Sequence, residues 1–167
     1  MSEDRIRESM AAKEVVPLSE QNVMRVVAKM LFPFILVFAI YVISHGELGP
    51  GGGFQGGVIA AAAFIMYGLV FGVDELTARV SPRVLEIMMA VGVLLYAGVG
   101  LQNLLAGSNF LDYTIMGDAP GATEGLGMTL VEWGVGITVT TVFVTIYINL
   151  TERRFLLQKR ENAEVGD

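Results

Sequence analysis

Four stretches without a single Asp, Glu, Lys or Arg dominate the sequence: residues 30–44, 54–73, 87–106 and 133–151. A helix needs about 20 apolar residues to cross a hydrocarbon core of about 30 Å. The first stretch reaches that length only with its lead-in from Val23, where Val23, Val26, Val27, Met30 and Leu31 recur at helical spacing while Arg25 and Lys29 fall on other faces. Four such segments in 167 residues leave no room for a separate soluble domain. Charged residues make up only 17% of the chain, against roughly 25% in soluble domains. The expected fold is all-α, an integral membrane bundle of four transmembrane helices at about 23–44, 54–73, 83–106 and 129–151. Together they form one membrane domain over 23–151, between a polar tail at 1–22 and a charged tail at 152–167.

The basic residues set the expected topology. All eleven fall in three places: Arg5, Arg7, Lys13, Arg25 and Lys29; then Arg79 and Arg83; then Arg153, Arg154, Lys159 and Arg160. The connections at 45–53 and 107–128 have none. By the positive-inside rule both termini are cytoplasmic and those two connections face outward, in a multi-pass protein of the plasma membrane. Residues 1–22 show no apolar core of a signal peptide. The chain has no cysteine, which removes disulfides, iron–sulfur ligation and thiol catalysis.

Between the first two apolar runs lies His45-Gly-Glu-Leu-Gly-Pro-Gly-Gly-Gly-Phe-Gln-Gly-Gly57, seven glycines and a proline in thirteen residues. No apolar helix continues through Pro50 and its glycine neighbours, since proline lacks an N–H and glycine costs a helix entropy. Pro50, Gly51, Gly52, Gly53, Gly56 and Gly57 are therefore expected to form a tight turn with closely packed backbone. The same residues satisfy the dinucleotide pattern G-x-G-x-x-G from Gly51 to Gly56. That mechanism requires a preceding strand and a nucleotide-containing compartment, and neither fits an outward turn after a membrane helix. Farther on, Gly68 and Gly72 form a small-xxx-small pair suited to close helix packing, and Pro33 is expected to kink the first helix by deleting the bond to the Lys29 carbonyl.

Three titratable residues are candidates for an ion path. Glu132 lies one turn inside the outer end of the last helix, beside the sole tryptophan, Trp133. Glu86 lies one turn inside the cytoplasmic end of the third, and His45, the only histidine, ends the first. Acids within membrane helices are costly and by default point to function, although both carboxyls are shallow enough to reach water as interfacial anchors. A lone imidazole is as readily a hydrogen-bonding residue as a proton relay. No charge falls at mid-membrane, which argues against a self-sufficient small transporter. No catalytic, cofactor-binding or metal-ligating set is visible.

The glycine block resembles the signature His-Asn-x-Pro-Gly-Gly-Gly-Phe-x-Gly-Gly of the MnhB/MrpB family, subunits of Mrp-type Na⁺/H⁺ antiporters and of the antiporter-like arms of membrane-bound hydrogenases and sulfane-sulfur reductases. Leu130-Val131-Glu132-Trp133-Gly134-Val135 is similar to that family's Phe-Asp-Ile-Gly-Val, with Glu for Asp. The resemblance spans about residues 30–150. It departs at Gly46-Glu47-Leu48-Gly49, which is longer than the family's usual segment before proline. The resemblance implies a non-catalytic membrane subunit of a multisubunit cation/proton antiporter module, or of the ion-translocating arm of a hydrogenase or sulfur reductase. It would help assemble the module and line part of its ion path. The implied partners are other integral subunits, the bilayer and Na⁺ or H⁺, with no nucleic acid. The alternatives are a self-sufficient small ion transporter and a purely structural membrane assembly subunit.

Overall fold

A computed structural model describes residues 22–46, 51–112 and 122–165, with side chains described to residue 157 and, in the last helix, from 126. Pro50, the tail through residue 21 and the connection at 113–121 lie outside the described residues. Every described element is helical: α1 (Asn22–Ser44), α2 (Gly53–Phe71), α3 (Val73–Arg79), α4 (Pro82–Leu105) and α5 (Ala122–Val165). Four of these are long and apolar enough to cross a membrane, the stretch in α5 being Leu126–Leu157. The spatial order is not the chain order. α1 packs on α2, α2 on α5 and α5 on α4, so the last helix is inserted between the second and the third span.

The termini of these helices follow local chemistry. α1 runs on through Pro33. α2 stops at Phe71 because Gly72 adopts φ +97°, a left-handed conformation that costs glycine little. Gly72 therefore lies outside the helix, and a Cβ there would meet nothing within 4 Å. The expected Gly68–Gly72 packing pair is thus one residue. Gly68 is covered by Tyr147 of α5, whose hydroxyl would lie 3.1 Å from an added Cβ, whereas Gly72 makes the break between α2 and α3. α4 begins with Ser81 as N-cap and Pro82 in its first turn, where the missing N–H costs nothing. It ends over Gly107, at φ +86°.

Two features differ from the expected boundaries. The segment after α2 holds the seven-residue helix α3, with Asp74 and Glu75 in its first turn and Arg79 in its last, matching the helix dipole. Leu76, 1% exposed, pins it to the core. The second difference is α5, 44 residues long and continuous through Glu152, Arg153 and Arg154 to Val165. At 1.5 Å per residue it is about 66 Å long, roughly twice the hydrocarbon thickness. The charges end the membrane span and not the helix, because Glu, Arg, Lys, Gln and Leu are all good helix formers.

Small residues make the interfaces. Where α4 crosses α5, a Cβ on Gly92 would lie 2.7 Å from the Gly134 carbonyl, and one on Gly134 would lie 2.8 Å from the Gly92 carbonyl. Where α2 crosses α5, a Cβ on Gly57 would lie 2.8 Å from the Gly136 carbonyl. Thr140 Oγ1 donates there to the Gly57 carbonyl at 3.0 Å as well as to Gly136 at 2.7 Å. Large apolar side chains such as Phe34, Val37, Phe38, Val93 and Leu94 point outward instead, the arrangement that lipid or neighbouring membrane helices permit.

Replacing Gly92 by Ala is expected to destabilise the protein by about 1–3 kcal/mol, since two backbones would have to part. Gly98→Ala, at a helical position with nothing within 4 Å, is expected to be neutral or to stabilise by about 0.5–1 kcal/mol. Thermal unfolding in mild detergent, followed by size-exclusion chromatography, checks both. Equal melting temperatures for the two variants would contradict the close-crossing account.

Candidate functional site

The glycine turn and Glu132 come together in space. α1 ends at Ser44, and the chain re-enters the bundle through Gly51, Gly52 and Gly53. The Gly52 N–H donates to the Val42 carbonyl at 3.2 Å, which ties the start of α2 to the last turn of α1. Gly52 has φ +131° and ψ 179°, a region essentially reserved for glycine. A Cβ on Gly51 would lie 2.9 Å from the same Val42 carbonyl. Gly56 is pressed on α1, its Cβ position 2.7 Å from the Ala39 carbonyl and 3.0 Å from the Ile43 nitrogen. The turn is therefore a place where backbone meets backbone on several sides.

Glu132 fills the concavity so formed. A Cβ on Gly46 would collide with its carboxylate, with Cδ and Oε2 both 2.7 Å away. A Cβ on Gly52 would lie 3.3 Å from Oε1. A Cβ on Gly53 would strike the Glu132 backbone, whose carbonyl carbon lies 2.9 Å off. The half-buried carboxylate thus sits between the end of α1 and the beginning of α2. The positive end of the α2 dipole favours a negative charge there. Neither adjoining connection contains Lys or Arg.

The other candidates separate by position. His45 precedes Gly46 directly, so it belongs to the same turn. Its ring stacks on Tyr41 at 4.1 Å between centroids, and Nδ1–H donates to the Tyr41 carbonyl at 3.1 Å. The imidazole is exposed and held back along its own helix. Glu86 is exposed in the second turn of α4, at the opposite, basic end of the bundle, away from the turn. Trp133 is half-buried and lines an apolar groove between the helices. Among the described residues no group of three or more His, Asp or Glu could hold a metal ion.

Between the two ends, α5 carries the hydroxyls of Thr138, Thr140, Thr141 and Thr145. Each donates to a carbonyl one turn back, Thr138 to Gly134 at 2.8 Å and Thr145 to Thr141 at 2.7 Å among them. The midspan of α5 is polar in composition but satisfied within the helix. Sequence reasoning did not identify Gly46, Gly92 or Gly136 as contact residues. Gly46 sits next to His45 and reads as part of the loop, Gly92 is a single glycine in an apolar run, and Gly136 follows Gly134 by two residues, a spacing that does not mark a helix-packing face.

Comparison with known proteins matches residues 23–145 to a family described as a domain related to the MnhB subunit of Na⁺/H⁺ antiporter. The chain is 33% identical over 135 residues to the "Putative antiporter subunit mnhB2" of Staphylococcus aureus strain MRSA252, covering 79% of this chain and 95% of that protein. The protein of the same name from strain Newman matches with the same identity and coverage. The matched region takes in the glycine turn, Glu132 and the glycine crossings of α5 with α2 and α4 at Gly57, Gly92, Gly134 and Gly136.

The geometry gives a double-mutant test. Gly46→Ala is expected to destabilise by about 1–3 kcal/mol, and most of that cost is expected to vanish in a Glu132→Ala background, because the obstruction is the carboxylate itself. Gly53→Ala is expected to cost as much in either background, because its obstruction is the Glu132 main chain. Melting temperatures of the six proteins check this. A coupling energy near zero at Gly46 would place the carboxylate elsewhere.

Proposed function

The chain belongs to the family of domains related to the MnhB subunit of Na⁺/H⁺ antiporters, and from that premise we propose that it serves a multisubunit antiporter as a non-catalytic membrane subunit whose Glu132 contributes to the Na⁺ or H⁺ route at one face of the membrane. The observation that carries the proposal is the seating of an ionisable carboxylate in a glycine-built concavity within a membrane bundle. A carboxylate there takes up and releases a cation or proton with little rearrangement, because the surrounding main chain is already in place. The absence of charge along the midspans fits a subunit that completes one end of a route carried elsewhere by partner subunits.

The orientation follows the positive-inside rule. Both termini lie in the cytoplasm, and Glu132, His45 and the glycine turn face outward. His45, beside the concavity but turned back on Tyr41, acts as an accessory group. Glu86 is an interfacial anchor at the basic end. The outward-facing apolar side chains of α1 and α4 meet other integral subunits. The named relatives favour a stand-alone antiporter over the ion-translocating arm of a hydrogenase or sulfur reductase, and the subunits that co-purify with the chain distinguish the two.

The test is cation-dependent proton exchange in everted vesicles containing the complete complex. Glu132→Gln, which keeps the shape and removes the charge, is expected to lower exchange at least about tenfold, as befits a group that interacts directly with the transported charge. Glu132→Asp is expected to retain measurable exchange. The complex should co-purify intact with either variant. Wild-type exchange by Glu132→Gln would overturn the assignment. Loss of exchange only through loss of the assembled complex would leave Glu132 a packing residue.

A further inference from the structure

At the basic end of the bundle, a cleft of about 460 Å³ opens between α1, α2 and α3, lined by Lys29, Phe32, Phe64, Tyr67, Leu76 and Arg79. The basic groups are held around an aromatic wall. The Arg79 guanidinium lies 5.3 Å from the Tyr67 ring centroid, and Lys29 Nζ and the Arg25 guanidinium lie 5.5 and 5.2 Å from that of Phe71. Such faces orient a cation without neutralising it. Glu75 is the acid beside this group, bonded to Arg79 at 2.9 Å with both side chains about half exposed. Of the groups that line the cleft, Lys29 and Arg79 are cationic and Glu75 pairs with Arg79, so the mouth carries a net positive charge.

The cleft does not stand alone. Phe64 and Val80 also line a second cavity of about 460 Å³, a groove walled by α1 and α4 and floored by α2 and α5. Its lining is apolar, from Val84 and Met88 on α4 to Ile40 on α1 and Trp133 on α5. Along α5 it extends from Trp133 to Val144, about 17 Å at the helical rise. A positively charged cleft and a long apolar groove thus adjoin at Phe64 and Val80.

We propose that this composite site binds one anionic phospholipid, with its phosphate between Lys29 and Arg79 and one acyl chain along the groove. The charge at the mouth selects a negative headgroup, since basic pockets between membrane helices recognise anionic lipids. The groove discriminates against free phosphate, which has nothing to place there. The lipid completes the packing of α1 against α4, which otherwise touch little. The site is independent of any role of Glu132.

The experiment uses the intact complex in mild detergent and a phosphatidylglycerol bearing a diazirine in one acyl chain, with adducts mapped by peptide mass spectrometry. Expected are adducts on residues 84–88 and 40–43, displaced by unlabelled phosphatidylglycerol but not by phosphatidylcholine. Lys29→Gln with Arg79→Gln together should reduce labelling at least about tenfold, taking about 1 kcal/mol for each basic residue. Competition on the unaltered protein gives a readout that does not depend on the variant's folding. Equal displacement by phosphatidylcholine would overturn the proposal. So would p-benzoylphenylalanine at Met88 crosslinking to a partner subunit's helix rather than to lipid.

Discussion

Close contact between main chains at glycine crossings is the interaction on which this bundle depends most. Lipid tails are as apolar as leucine, so helices in a membrane gain little from burying apolar surface and associate through close packing and hydrogen bonds. Here α5 provides the surface on which that happens. Gly134 receives α4 at Gly92, Gly136 faces Gly57 and Gly53, and Glu132 occupies the turn between α1 and α2. Removing a Cβ from both partners lets dispersion forces act over whole helical turns at short range. The insertion of α5 between α2 and α4 follows, because α5 presents its glycines to one neighbour on each side.

The same constraint shapes the site. Gly46, Gly52 and Gly53 are usually read as residues that loosen a chain, yet each is fixed by what lies where its Cβ would be. All three face Glu132, Gly46 and Gly52 through its carboxylate and Gly53 through its main chain. The concavity and its occupant are therefore complementary features of three separate segments, brought into register by the crossing of α2 over α5. Thr140 secures that crossing with a hydroxyl shared between the two helices.

Much of this was legible in the residues. Uncharged runs of spanning length show the four membrane helices, because desolvating charge is so costly that the pattern is nearly compulsory. The glycine block marked the turn, and Glu132 stood out as an acid in an apolar helix. The meeting of Glu132 with the turn was not legible, since 75 or more residues separate them and only the packing order relates them. Neither was the length of α5. Hydropathy records where a helix leaves the membrane, and the Glu-Arg-Arg at 152–154 marked that point while saying nothing about where helical hydrogen bonding stops. Gly72 was misread for a related reason. A four-residue spacing resembles a packing motif whether or not the second glycine is still helical, and its positive φ belongs to the break before α3.

The continuity of α5 has a mechanical consequence. A helix interrupted at the membrane surface would isolate its two sides, each able to swing about the break. An unbroken rod has no such joint and acts as a lever, with its fulcrum at the glycine crossings. Pivoting by about 5° displaces one tip relative to the other by about 6 Å over its 66 Å length. The direction of the charged segment that ends at Val165 is thereby set by the glycine crossings and not by a hinge at the membrane surface.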